Sequence, residues 1–250
     1  MNKLKIAISQ FSVSSDLAIN ESFILKHILE ASEESADIIH FPETALSGYE
    51  TKSRDINWNS LRQSLKRIRI TANKLDIYVI LGSHHRVRSS IKPFNCTYLI
   101  SPSGKIIGRY FKNKLYKKEK NRFSCKTNFL IKNIKGITCG FLICYDSCYP
   151  KLFEYYRSHG VKLLFLSYYN ANSSRDKNNM DHLMKAQISS RASDNLMYIS
   201  GSNSSSRYSR MPSSFAHPDG RLISLKRHRV GILICKYPSK ELEWTYDNSK

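Results

Sequence analysis

Apolar and polar positions along the chain switch between two periods. "KLKIAISQFS" (3–12) alternates as a half-buried strand does. Residues 16–35 then space Ile24, Ile28 and Ala31 by three and four, the stripe of a helix packing one face. "ADIIHFPE" is a short buried strand ended by Pro42, and Leu61, Leu65, Ile68, Ala72 and Leu75 predict a second helix over 57–75. "IYVILGSHHR" follows as a strand, and "NCTYLISPSGKIIGRYFK" predicts a hairpin turning at Pro102, Ser103 and Gly104. "NFLIKNIKGITCGFLICYD" holds two more strands joined around Lys135 and Gly136. Pro150 opens a helix that runs to His159 and stops at Gly160, as a first-turn proline and a terminal glycine predict. "VKLLFLSYYN" is a buried strand, 176–194 a helix carrying Met184, Ile188 and Ala192, and "LMYISGSNS", "SSFAHPDGRLIS" and "VGILICKY" supply the last strands before a polar tail.

Alternating helices and strands interrupted by hairpins predict a layered α/β fold with helices outside the sheets. No linker-like stretch divides the chain, so one domain is expected over residues 1–250. The serine-rich "SGSNSSSRYSRMPSS" (200–214) lies between two strand-like runs and reads as a loop at the edge of a site. The similarity of "GFLICYD" to "GILICKY" is explained by two buried strands and indicates no repeat.

Composition changes this picture in two respects. No apolar run approaches the ~18 residues of a membrane helix, and the N-terminus is too interrupted for a secretory leader, so a soluble cytoplasmic protein without a membrane partner is expected. Its six cysteines are scattered without metal-ligand spacing, so they are expected to be reduced and mostly buried, Cys235 and Cys148 among them. The formal charge of +20 is the strongest anomaly. The basic residues are dispersed and no nucleic-acid-binding motif accompanies them, so a solvated basic surface is the expectation and a nucleic-acid partner is not.

Candidate chemistry sits where buried strands stop. In "GFLICYDSCYP" an apolar run ends at Cys144 and turns polar at once, the position a nucleophilic thiol needs. Glu43 follows a buried strand and a proline in "IIHFPETALSGYE", where a low-dielectric pocket can raise its pKa toward that of a general base. Lys112 ends a strand in which Ile106, Gly108, Tyr110 and Lys112 should share one face. Strand ends are where such groups converge in α/β sheets. Asp146 is expected to accept backbone N–H groups in the turn, and Arg191 and Asn195 to fix the last helix.

"FPETALSGY", "YFKNKLYKKE", "GFLICYDSCYP", "RASDNLMYISGSN" and "SSFAHPDG" together resemble, in order and over nearly the whole chain, the signature blocks of the nitrilase superfamily of carbon-nitrogen hydrolases. The resemblance implies a four-layer αββα sandwich and a Glu-Lys-Cys triad. On it, Glu43 is the general base, Lys112 the cation facing the tetrahedral intermediate, Cys144 the nucleophile, and Glu119 the second glutamate that positions the lysine. The backbone N–H of Tyr145 would complete the oxyanion site. The resemblance also implies no metal or organic cofactor, and a homodimer.

The activity so implied is hydrolysis of a small linear amide or N-carbamoyl compound through a thioester, with nitriles a rarer substrate. Acyl transfer on the same triad, or an idle basic scaffold for an acidic partner, are the alternatives. After Cys144 the chain runs Ser147, Cys148, Tyr149, Pro150, Lys151, without the arginine many relatives carry there, which weakens the case for a clamped dicarboxylate monoamide. Loops 49–57, 116–126, 168–178 and 203–214 are expected to line the pocket, with Tyr49, Tyr168, Tyr169 and Asn170 as candidate contacts.

Overall fold

Each long periodic segment becomes the element its period predicts. The structure, a computed structural model, describes residues 3–171 and 180–238. Its first half comprises β1 (Leu4–Gln10), α1 (Leu17–Glu33), β2 (Ile38–His40), α2 (Trp58–Lys74), β3 (Tyr78–His85), β4 (Phe94–Ile100) and β5 (Ile106–Phe111). The second comprises β6 (Ile131–Ile134), β7 (Ile137–Ile143), α3 (Pro150–Ser158), β8 (Leu163–Ser167), α4 (Met180–Asp194), β9 (Tyr198–Ser202), β10 (Ser214–Ala216), β11 (Leu222–Ser224) and β12 (Gly231–Tyr237). The expected start of α4 at 176, and the tail beyond 238, lie outside the described residues. Local chemistry sets the ends. Asp16 and Asn57 cap α1 and α2 by accepting two backbone N–H groups each, Pro150 opens α3, and Gly160 leaves it at φ +73°.

The strands form two six-stranded sheets, β12-β1-β2-β3-β4-β5 and β11-β10-β9-β8-β7-β6. In each, three strands run parallel and antiparallel strands extend the flanks, hairpins on three of them and, on the fourth, β12 from the far end of the chain beside β1. Period-2 alternation decides the layers. Ile6, Ile8, Ile38 and Ile80 join the core with Phe141 and Phe165 of the opposite sheet, whereas Ala7, Ile39, Val79 and Leu81 pack with Ile24, Ile28, Ile68 and Ala72 of α1 and α2. Each buried isoleucine contributes about 1.5–3 kcal/mol. On the far side α3 lies over β7, the Tyr156 hydroxyl donating to Phe141 O at 2.7 Å, and α4 packs Ile188 against Gly201. The result is an αββα sandwich. Fully buried His40 links its middle layers, hydrogen-bonded at 2.9 Å to both Ser167 of β8 and Ser200 of β9.

Two expectations are corrected. A register shift between Leu99 and Ile100 pairs Leu99 with Gly108 but Ile100 with Ile106, a bulge that turns Ile106 toward the helix layer while Tyr110 stays between the sheets. Ile106 therefore does not share a face with Tyr110. Second, only Cys96, Cys139 and Cys235 are fully buried. Cys144 is partly buried, while Cys125 and Cys148 are exposed, Cys148 because it ends the turn leading into α3; all six are free thiols. The serine-rich segment is a loop between β9 and β10, as expected, and much of it is buried. Ser204, Ser205, Ser209 and Ser213 are buried, and Ser213 and Ser205 bond to the backbone of Ser9 and Phe11, tying the segment to the end of β1.

Candidate active site

The ends of β2 and β3 create the place for Glu43. Past His40 the chain passes through Pro42, and Thr44 adopts φ +49°, so Glu43 sits in a tight turn over Gly82. A Cβ on Gly82 would lie 2.3 Å from Pro42 O and 2.5 Å from Thr44 N; only glycine lets β3 pass under this turn. The Glu43 backbone N–H donates to Tyr168 O at 3.1 Å, and its Oε2 accepts from Tyr169 N–H at 2.9 Å, both just beyond β8 of the opposite sheet. Glu43 thus joins the two sheets at their rim and is fully buried. Burial pushes its carboxyl up, the charge of Glu119 adds to this, and Lys112 opposes it, leaving a pKa of about 7.

Lys112 follows β5 directly and is buried. Its Nζ donates at 2.6 Å to Glu43 Oε1 and at 2.6 Å to Glu119 Oε1, so the ammonium bridges two carboxylates. Burial opposes its charge, but the carboxylates outweigh burial and hold Lys112 well above the ordinary lysine range. Glu119 lies in a short 3₁₀ turn (Lys117–Asn121), where its Oε2 accepts from Tyr116 N–H at 2.7 Å and its Oε1 from the Tyr49 hydroxyl at 3.0 Å.

Cys144 explains why the strand of "GFLICYD" stops. Its φ of +44° is left-handed, a conformation non-glycine residues rarely hold, and it turns β7 into the helical turn Cys144–Cys148 that leads to α3. Asp146 holds that turn. Its Oδ2 accepts from Ile143 N–H at 2.9 Å and from the Tyr110 hydroxyl at 2.8 Å, and its Oδ1 accepts from Lys114 N–H at 2.7 Å, which fastens the thiol's turn to the segment carrying Lys112. The Cys144 thiol is pushed well up by burial and by the charge of Glu43, with Lys112 opposing, so it is neutral at rest. A neutral thiol, a carboxyl that is half-ionised near neutrality and a fixed cation make a set able to move one proton and to face a developing oxyanion.

The four side chains singled out in the sequence as catalytic candidates therefore lie in one electrostatic cluster, and Asp146 has the turn-holding bonds expected of it. Tyr49 and Tyr169 stack, with centroids 4.5 Å apart, beside Glu119 and Glu43. Tyr168 is buried and reaches the site through its backbone carbonyl; Asn170 turns its side chain to Asn203 at 2.6 Å. Residues 172–178 of the expected pocket loop lie outside the described residues. Arg191 lies over the Phe153 ring and donates to Ser147 O at 3.4 Å, and Asn195 donates to Arg191 O, consistent with fixing the helix. Sequence reasoning missed Asn95. This buried residue of β4 donates from Nδ2 to Glu43 Oε1 at 2.7 Å, and its one available signal was an amide near the head of a mostly apolar strand. Among the described residues no group of three or more His, Cys, Asp or Glu side chains is arranged to hold a metal ion.

Comparison with known proteins shows the family. A family model described as carbon-nitrogen hydrolase matches residues 5–242. An (R)-stereoselective amidase of Pseudomonas sp is 27% identical over 191 residues, covering 73% of this chain and 64% of the relative. An omega-amidase of Xenopus tropicalis is 27% identical over 174 residues, covering 66% and 63%. The chain thus spans a little under two thirds of the length of these curated relatives. Among solved structures, a mutant amidase from Nesterenkonia sp. AN1, with the acetamide moiety of fluoroacetamide added covalently at its active-site cysteine, superposes with a TM-score of 0.80 at 18% identity, covering 94% of this chain and 90% of that one. This last likeness is one of fold.

Proposed function

Because the chain belongs to the carbon-nitrogen hydrolase family, we propose that it hydrolyses the C–N bond of a small amide or N-carbamoyl compound, with Cys144 as nucleophile, Glu43 as general base, Lys112 as the cation facing the oxyanion and Glu119 positioning Lys112. The observation that carries this reading is the buried line Glu43–Lys112–Glu119, bonded at 2.6 Å on both sides of the ammonium and acting electrostatically on the Cys144 thiol. The amidase relatives and the covalent cysteine adduct of the Nesterenkonia enzyme support it.

The steps balance on these groups. As Cys144 Sγ bonds to the carbonyl carbon, its proton passes to Glu43, and the carbonyl oxygen, now an oxyanion, meets Lys112 and the backbone N–H of Tyr145. Each donor of this kind contributes about 3 kcal/mol to the barrier reduction. Collapse breaks the C–N bond, and the leaving amine takes the proton from Glu43. Water then attacks the thioester while Glu43 accepts its proton, the C–S bond breaks, and the proton returns to Cys144. Since the thiol is neutral at rest, attack needs the ionised form of Glu43; the carboxylate's buried hydrogen bonds hold it where that transfer happens.

The test is ammonia release from a panel of small amides, N-carbamoyl amino acids, N-carbamoyl amines and nitriles, run on the parent and on Cys144→Ala. Release by the parent, lost in the variant and accompanied by a thioester mass adduct with the best substrate, is the expected result. Release that persists in Cys144→Ala overturns the assignment of the nucleophile.

A further inference from the structure

The charge that is dispersed in the sequence is gathered in one place by the fold. Two surface cavities, of about 720 and 610 Å³, lie side by side around the start of α2 and the loop after β3, and share Trp58 and Arg86 in their walls. Six arginines line the pair: Arg54, Arg62, Arg86, Arg88, Arg109 and Arg122. Lys52 and Lys92 add to them, and no aspartate or glutamate does. Among the described residues Arg54 pairs only with its exposed neighbour Asp55 and Arg122 only distantly with Glu50, at 3.9 Å; the other six cations form no ion pair. Like charges crowded into a concavity without counter-charge repel one another and focus the field outward.

Residue type narrows the ligand. Lysine is the commoner cation of this chain, yet arginine predominates here. Arginine's planar fork binds phosphate oxygens in pairs and its face stacks on aromatic rings. The Arg86 guanidinium already lies 5.8 Å from the centre of the half-buried Trp58 ring, at the wall common to both cavities. Cations along a groove with an aromatic ring at its middle are what a single nucleic-acid strand needs, phosphates tracking the charges and a base meeting the indole. We propose that this arginine groove is a binding surface for single-stranded nucleic acid; at Arg122, whose guanidinium lies over the Tyr49 ring at 5.2 Å, it borders the hydrolase site. Residues distant in sequence, from Lys52 to Arg122, converge on it.

The experiment is fluorescence anisotropy of a labelled mixed-sequence 20-mer single strand with the intact protein at 50 and 200 mM salt. It is repeated on Arg86→Glu/Arg88→Glu and on Lys151→Glu/Lys162→Glu, which makes the same charge change at exposed positions on the opposite sheet's side. If about four phosphates are neutralised, affinity falls roughly 50-fold between the two salt concentrations. The groove variant is expected to lose at least 10-fold, the control less than 3-fold, with amide hydrolysis unchanged in both. Strand binding should quench tryptophan fluorescence, and Trp58→Phe should remove the quench although Trp244 remains. Absence of binding by the parent at 50 mM salt overturns the proposal. So do equal losses in the two variants, equal affinity for duplex, or competition by poly-glutamate as effective as by unlabelled strand, each of which reduces the effect to bulk charge.

Discussion

The proton on Glu43 is under opposing pressures, burial favouring it and the Lys112 ammonium and Asn95 amide opposing it. With a pKa of about 7 the base is charged above neutrality and silenced below it, so kcat/KM should rise with pH along a single limb centred near 7. Asn95→Ala removes a donor that favours the carboxylate. The limb should move to higher pH while the plateau falls by less than 10-fold, a shift that a merely loosened fold would not produce; the pH–rate profile of the variant checks it. Glu43→Gln keeps the shape but cannot accept a proton, and should cost about 10²–10⁴-fold in kcat, read by single-turnover kinetics. The nature of these residues was legible in the sequence because each stands just past a strand-like run, Glu43 beyond His40 and Pro42, Lys112 and Cys144 directly after β5 and β7. Asn95 was not, because an amide's value depends on which carboxylate it meets, and Glu43 is 52 residues away in the chain.

Elements position the site through their ends. The turn that carries Glu43 rests on the bare backbone of Gly82, so Gly82→Ala forces β3 and the Pro42–Thr44 turn apart. Hydrolysis should fall by more than 100-fold, with a loss of several degrees in Tm seen by calorimetry. The comparable change at Gly160, where an added Cβ meets nothing within 4 Å, should cost far less activity. Strand and helix positions followed from period, since alternation and the three-four stripe reflect burial on one face. The bulge at β5 did not, because a bulge is a property of pairing: Ile106 changes face only through its alignment with Ile100 of β4. The burial of the serine-rich segment was equally hidden. The Ser213 hydroxyl donates to Ser9 O of β1 and the Ser205 N–H to Phe11 O, partners about two hundred residues earlier that the segment's own composition does not name.

At the scale of the whole molecule, buried titratable groups set the response to acid. His40 and His84 are held neutral by burial to about 3 and His27 to about 4, from 6.5 in the unfolded chain. Below 6.5 the unfolded state therefore binds more protons at these sites, and the stability they contribute is lost as pH falls toward those values. Glu43 and Asp146, raised by burial to about 7 and 6, act in the opposite sense, since the folded state holds their protons down to the ordinary carboxylate range. Three histidines outweigh two carboxyls, so Tm should decline gently from pH 6 to 4.5 and steeply below. Glu43→Gln removes one opposing group and should steepen the upper part of that decline, as a thermal-melt series across pH would show. No helix among the described residues is long and apolar enough to cross a membrane.

The chain alone determined the layers, the order of the elements and the identity of the thiol, carboxyl and ammonium groups at strand ends, because these depend on local period and on the residue types that succeed each buried run. Only the tertiary structure decided which groups share a hydrogen bond, which serines are buried, and that scattered arginines face one groove. Those outcomes depend on distances between segments far apart in sequence, and such distances exist only once the two sheets have packed.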